Sequence, residues 1–206
     1  MAAQTTAASV DEELKSLWAL RETFFADDPA AKETYVVKRG AEIAAAVAEQ
    51  KKGGGGGGAD ARARAAYARG RALDAAAAYS AEAEADLSRA VKLAPDFVDA
   101  WCALGHCFWK KNDLNAARDC YEGARDRQPT PDALRALSVL CRSVPPKSPD
   151  DDVHGQSVAH ARHAAKLDGS GESWRGGRAD GFVALLSFLH GIATSRPRRR
   201  RDSSTE

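Results

Sequence analysis

The sequence has no apolar run long enough to cross a membrane. Its longest, Gly181 to Ile192, falls far short of the roughly 20 residues a spanning helix needs, and no leader-like pattern follows Met1. A soluble protein not secreted through a cleaved signal is therefore expected. An excess of one charge is also missing. With 30 Lys+Arg against 29 Asp+Glu, the formal net charge is +1, so electrostatic recognition has to come from local patches rather than from the chain as a polycation. Cysteine is sparse, and the four present lie inside alanine-rich stretches rather than in clustered loops. That pattern predicts reduced intracellular thiols without crosslinks.

Catalytic and metal motifs are lacking as well. There is no nucleophile-base-orienter set and no GxxxxGK[ST] loop, and the glycine run Gly53–Gly58 has no strand before it to form a phosphate cradle. Cys102 with His106, and His160 with His163, have helical spacing, but no closed four-ligand set surrounds either pair. No enzyme, cofactor or metal site is expected. Cys107, Cys120 and Cys141 read as small core residues.

What is present is helix, because alanine dominates and the β-branched alternation of strands does not occur. Residues 1–10 carry no periodicity and are expected to be disordered. Asp11-Glu12-Glu13 then forms an acidic first turn ahead of Leu14, Leu17, Trp18, Phe24 and Phe25. Pro29 ends that pattern, and a second one runs through Val36, Val37, Ile43, Ala44 and Val47 to Lys51-Lys52, giving an N-terminal helical pair over 11–52. Consecutive glycines cannot hold a helix, so 53–61 reads as a flexible tether that joins the pair loosely to the rest.

From residue 62 the question is repetition. Trp101, Leu104, Gly105, Phe108, Ala117, Tyr121, Ala124 and Pro129 stand at the spacing of the roughly 34-residue tetratricopeptide unit, which places one full repeat at Val98 to Pro131 with Lys111-Asn112-Asp113 as its turn. Small Gly105 and Ala117 sit where two helices cross, with bulky neighbours around the crossing. The preceding segment matches through Gly70, Ala83, Leu87, Ala90 and Pro95. The following one matches through Leu134, Leu137, Ser138 and Cys141, then Ser157, Ala161 and Ala164, with an inserted Pro/Asp-rich stretch between them. The fold expected is all-α: a right-handed tetratricopeptide superhelix of about three hairpins over 62–174, preceded by the helical pair.

First helices of such hairpins line a concave groove. The register puts Arg64, Tyr67, Arg71 and Asp74 on its inner face, then Asp99, Cys102, His106 and Trp109, then Asp132, Arg135, Val139 and Arg142. Four arginines make the expected groove mildly basic and suited to a short peptide carrying a carboxylate, which guanidinium groups hold bidentately. The lysine and asparagine that clamp chaperone tails are replaced by Cys102 and His106, so that class of ligand is not expected.

The stretches LKSLWALRETFF, AEADLSRAVKLAPDFVDAWCALGHCFWKKNDLNAARDCYEGA, RALSVLCRSV and HAAKLDGSGESW resemble, in order and spacing, the tetratricopeptide repeat protein 5 (Strap) family. The resemblance implies a noncatalytic scaffold, cytoplasmic and nuclear, which recognises the N-terminal peptide of nascent tubulin at the ribosome and triggers decay of tubulin mRNA. It implies that Arg142 lies in the peptide groove, and that Arg89 and Lys92 face the ribosome. The family also implies a stress-responsive nuclear cofactor that bridges acetyltransferase coactivators, which stays open as an alternative, as does a truncated product without function. The likeness stops at Trp174, and residues 175–206 are too few for the OB-fold that ends the family's chains. In that tail, Phe182, Val183, Leu185, Leu186, Phe188, Leu189 and Ile192 read either as an amphipathic helix that caps the open end of the repeat stack or as a segment apolar on nearly all sides that leaves the product unstable or aggregation-prone. Arg198–Arg201 reads as a basic tract for nuclear import or nonspecific nucleic-acid contact.

Overall fold

A computed structural model describes residues 7–23, 28–52, 58–146 and 152–168. The tail after Asp168, with its apolar segment and basic tract, lies outside the described residues, as do Gly53–Gly57. Eight helices follow one another among the described residues: α1 (Ala7–Thr23), α2 (Pro29–Lys52), α3 (Ala59–Leu73), α4 (Ala81–Leu93), α5 (Val98–Lys110), α6 (Leu114–Arg127), α7 (Pro131–Ser143) and α8 (Val153–Leu167). None is long and apolar enough to cross a membrane.

Local chemistry explains where the helices start. Ser80, Asp113, Thr130 and Asp152 are N-caps whose side-chain oxygens accept from the backbone N–H of Ala83, Ala116, Ala133 and Gly155, and Pro131 opens α7 where a missing N–H costs nothing. Between α5 and α6 the chain reverses through Asn112, which takes a left-handed φ of 64° that asparagine tolerates. Two starts differ from the sequence reading. Helix α1 begins at Ala7, because Val10 continues the stripe of Leu14, Leu17 and Trp18 into the core. Helix α3 begins at Ala59, with Gly58 as its N-cap and Asp60 complementing its dipole.

Each helix packs on the next, and α1 also touches α3. One core joins Leu14, Leu17 and Trp18 of α1 and Val36, Ile43 and Val47 of α2 to Ala68 and Ala72 of α3. A second runs from α3 to α6 through Leu87, Leu104, Cys107 and Cys120. A third links α5, α6 and α7 through Trp109, Tyr121, Leu137 and Leu140. The helical pair is thus docked on the first repeat, not loosely joined to it as the glycine run suggested. A tether sets only how far two bodies can separate; here apolar burial holds them together.

The crossing glycines are used as the spacing required, with one refinement. A Cβ on Gly105 would stand 2.8 Å from Cε2 of Tyr121, and one on Gly70 2.7 Å from Cγ of Leu87, so each glycine makes room for the large residue of the partner helix rather than for its alanine. In the third hairpin Ser138 takes that place, and the hydroxyl of Ser157 donates to its carbonyl at 2.7 Å within the buried crossing. Ala161, which the spacing matched to the second helix of the repeat, is exposed. Cys107, Cys120 and Cys141 are buried free thiols, and burial pushes Cys107 and Cys120 up to about 12.

Candidate functional site

The inner positions of the hairpins lie on α3, α5 and α7, with Asp74 at the C-cap of α3, and around Asp74 this face is closed. Asp74, just past α3, is 0% exposed. Nδ1 of His106 stands 2.6 Å from one of its oxygens, and Nζ of Lys110 donates to the other at 2.8 Å. Lys110 donates further to the carbonyls of Asp74 and of Ala76, the latter at 2.7 Å, which uses all three ammonium protons. A guanidinium nitrogen of Arg71 lies 3.7 Å from the carboxylate. Burial alone would raise the Asp74 carboxyl; His106, Lys110 and Arg71 outweigh it and hold the group at about 2. Burial lowers His106, with Lys110 and Arg71 pushing the same way against the pull of Asp74. The imidazole is therefore neutral near pH 7 and donates from Nδ1 to the carboxylate.

Trp18 of α1 roofs this cluster. The Arg71 guanidinium stacks 3.3 Å from the indole centroid, the His106 ring meets it edge-on at 5.7 Å, and its Nε1 donates to the Arg71 carbonyl at 3.3 Å. Neither Trp18 nor Lys110 stood out as a partner of the inner face in the sequence. The only signal was a bulky aromatic on the apolar stripe of the first helix.

The cluster makes stability depend on pH with a definite sign. His106 has its folded value below the ordinary 6.5, so the unfolded chain takes up the proton first, and stability falls as pH drops below about 6.5. Asp74 contributes stability that is complete above 3.8 and is lost between there and about 2. His160 on α8, lowered by burial and then by Arg125, acts in the same direction. The melting temperature is expected to fall between pH 7.5 and 5.5 in the wild type, and to fall less in His106→Gln, whose amide still donates to Asp74. Equal slopes in the two proteins would contradict the assignment.

Of the expected groove residues, the structure leaves only some within reach of a ligand. His106 has a side chain 12% exposed and is held on Asp74, and Trp109 is 6% exposed, packed edge-on against Tyr121 at 6.4 Å in the third core. Both are corrected from groove to interior, because tight superhelical packing brings neighbouring hairpins over them. Arg71 is engaged by Trp18 and Asp74. Arg135 is held by Asp132 at 2.8 Å and by Asp168. Tyr67 packs on Phe97 at 4.8 Å, and Cys102 is half-buried, its thiol pushed up to about 12 chiefly by burial. Arg64, Asp99, Asp132 and Arg142 are exposed, and Val139 is half-buried. Arg142 donates from Nε to the Ser138 carbonyl at 3.3 Å, its one hydrogen bond among the described residues. Arg89 and Lys92 are both exposed on α4, one helical turn apart.

Stacked helical hairpins with a small residue at each crossing, inner faces on the first helices and a proline closing the unit define a tetratricopeptide superhelix. A family model described as Tetratricopeptide repeat matches residues 98–130, which span α5 and α6. More particularly, the repeat region is similar to tetratricopeptide repeat protein 5: 38% identical over 91 residues to the protein of Homo sapiens and to that of Mus musculus, covering 43% of this chain and 21% of each relative. The Bos taurus protein of the same name is 38% identical over 81 residues, 39% of this chain and 18% of that one. The chain thus spans about a fifth of the length of the curated relatives it matches.

Proposed function

We propose that the chain is a noncatalytic protein-binding adaptor whose concave face takes an extended peptide, and that this peptide is the N-terminus of nascent tubulin presented at the ribosome. The repeat architecture and the similarity to tetratricopeptide repeat protein 5 support the adaptor role. The observation that carries the finer reading is the state of Arg142. Two of the four inner arginines are engaged within the protein, whereas Arg142 is exposed on α7 and, among the described residues, only its Nε has a hydrogen-bond acceptor, which suits the guanidinium to a carboxylate. Arg89 and Lys92, exposed together on a second helix, form a cationic spot suited to ribosomal RNA phosphates.

A labelled N-terminal tubulin peptide is expected to bind the purified chain and to lose at least about tenfold in affinity on Arg142→Ala, as removal of a charge-assisted bidentate contact should. Binding left unchanged by that substitution would refute the groove assignment. Ribosome co-sedimentation is expected to weaken with added salt and to vanish on joint reversal of Arg89 and Lys92 to glutamate. Association that is insensitive to both would remove the ribosome-facing role.

A further inference from the structure

The first core is built unevenly across its seam. Helices α1 and α2 supply its large side chains, among them Leu14, Leu17, Trp18, Val36 and Ile43, whereas the chain from α3 onward meets them with Ala68, Ala72 and Ala75. Lifting the pair would leave the contacts among its own large side chains in place. The two helices are also tied to each other, since Nζ of Lys32 on α2 donates to the Arg21 carbonyl of α1 at 2.7 Å. Across the seam the Ala77 N–H donates to the Glu33 carboxylate at 2.6 Å, and Trp18 to the Arg71 carbonyl.

Cations face one another across the same seam. Arg21 of α1 lies 4.8 Å from the Trp18 ring centroid and Arg71 of α3 lies 3.3 Å from it, and the charge of Arg21 bears on both Arg71 and Lys110. Against them stand Asp74 in the cluster and, facing Arg21, Glu33 and Glu22. The other packed elements add no free negative charge here. Burial raises the phenols of Tyr67 on α3 and Tyr121 on α6 and keeps them neutral, and Glu84 on α4 accepts from Tyr79 and Lys111 instead. A proton on His106 would be a fourth cation beside Arg21, Arg71 and Lys110.

We infer that α1 and α2 form a releasable clasp on the first repeat, opened when His106 takes up a proton. Arg21 stands on the clasp, and Arg71, Lys110 and protonated His106 stand on the repeats, so parting at this seam relieves the repulsion and admits water to the imidazolium. Closed, the ring is kept neutral, chiefly by burial. Open, it titrates near the ordinary 6.5, so acid favours the open form. The repeats keep a core of their own through Leu87, Leu104 and Cys107, and the loss of stability in acid therefore falls first on the clasp.

Hydrogen exchange read by mass spectrometry on the full chain tests this at pH 7.5 and 5.5, with each rate divided by the intrinsic rate at that pH. Protection of α1 and α2 is expected to fall about tenfold on acidification, the gain of an open form that protonates near 6.5 while the closed form does not. Protection of α5 and α6 should change by less than about twofold. His106→Gln should abolish the drop in α1 and α2. Arg21→Gln, which takes the cation off the clasp and leaves His106 in place, should reduce it to about threefold, and this variant still decides the matter if His106→Gln does not fold. No drop, a drop shared equally by α5 and α6, one that persists in His106→Gln, or one unchanged in Arg21→Gln overturns the clasp.

Discussion

Replacing Asp74 with alanine is expected to cost about 3–5 kcal/mol of folding stability, the range for breaking a buried ion pair by removing one partner. The reason lies in what stays behind. The Lys110 side chain is 6% exposed and would keep its ammonium beside Arg71 with no carboxylate between them, and His106 would lose the acceptor of its Nδ1–H. Water cannot easily compensate, since Trp18 covers the cluster. Urea unfolding followed by circular dichroism measures the cost as a shift of the midpoint at unchanged slope. The double variant Asp74→Asn, Lys110→Met should be more stable than the sum of its singles, because it removes the orphaned charge together with its partner. A loss below about 1 kcal/mol for Asp74→Ala would mean that the cluster is solvated and that α1 does not seal it.

Gly40→Ala is the second large effect, and it is diagnostic because its sign is reversed from the usual one. In an open helix the change from glycine to alanine stabilises by roughly 0.8–1.0 kcal/mol. Here the new Cβ would fall inside van der Waals contact of the Ala72 carbonyl oxygen, a backbone atom of α3 that has no rotamer to yield. Helix α2 would have to lift from α3, with a destabilisation of about 1–3 kcal/mol and looser packing of the core that holds Leu17, Val36 and Ile43. Hydrogen exchange should quicken in α1 and α2 while α5 and α6 stay protected. A rise in melting temperature on Gly40→Ala would show that the close approach is not made.

The periodicities carried much of the architecture. The full repeat at Val98 to Pro131, the turn at Asn112, the crossing glycines and the burial of Cys107, Cys120 and Cys141 were all legible. Each depends on residues within a few turns of one another or on a spacing the chain repeats. What was not legible was which inner side chains stay free. The register placed Arg71, His106 and Arg135 on the concave side equally with Arg64 and Arg142. It held no information on the residues that would reach across to them.

By itself, then, the order of amino acids determined helices, hairpins and the side of each helix that turns inward, because hydrogen-bond caps, glycine clearances and apolar stripes act over short stretches of chain. Only tertiary structure decided that α1 and α2 dock across the glycine run, that Asp74 binds His106 and Lys110 from 32 and 36 residues away, and that Trp18 settles on Arg71 at a separation of 53. A buried charge is stable only where several distant groups meet it at once. The engagement of Arg71 by Trp18 belongs to that meeting and not to its neighbours in the chain.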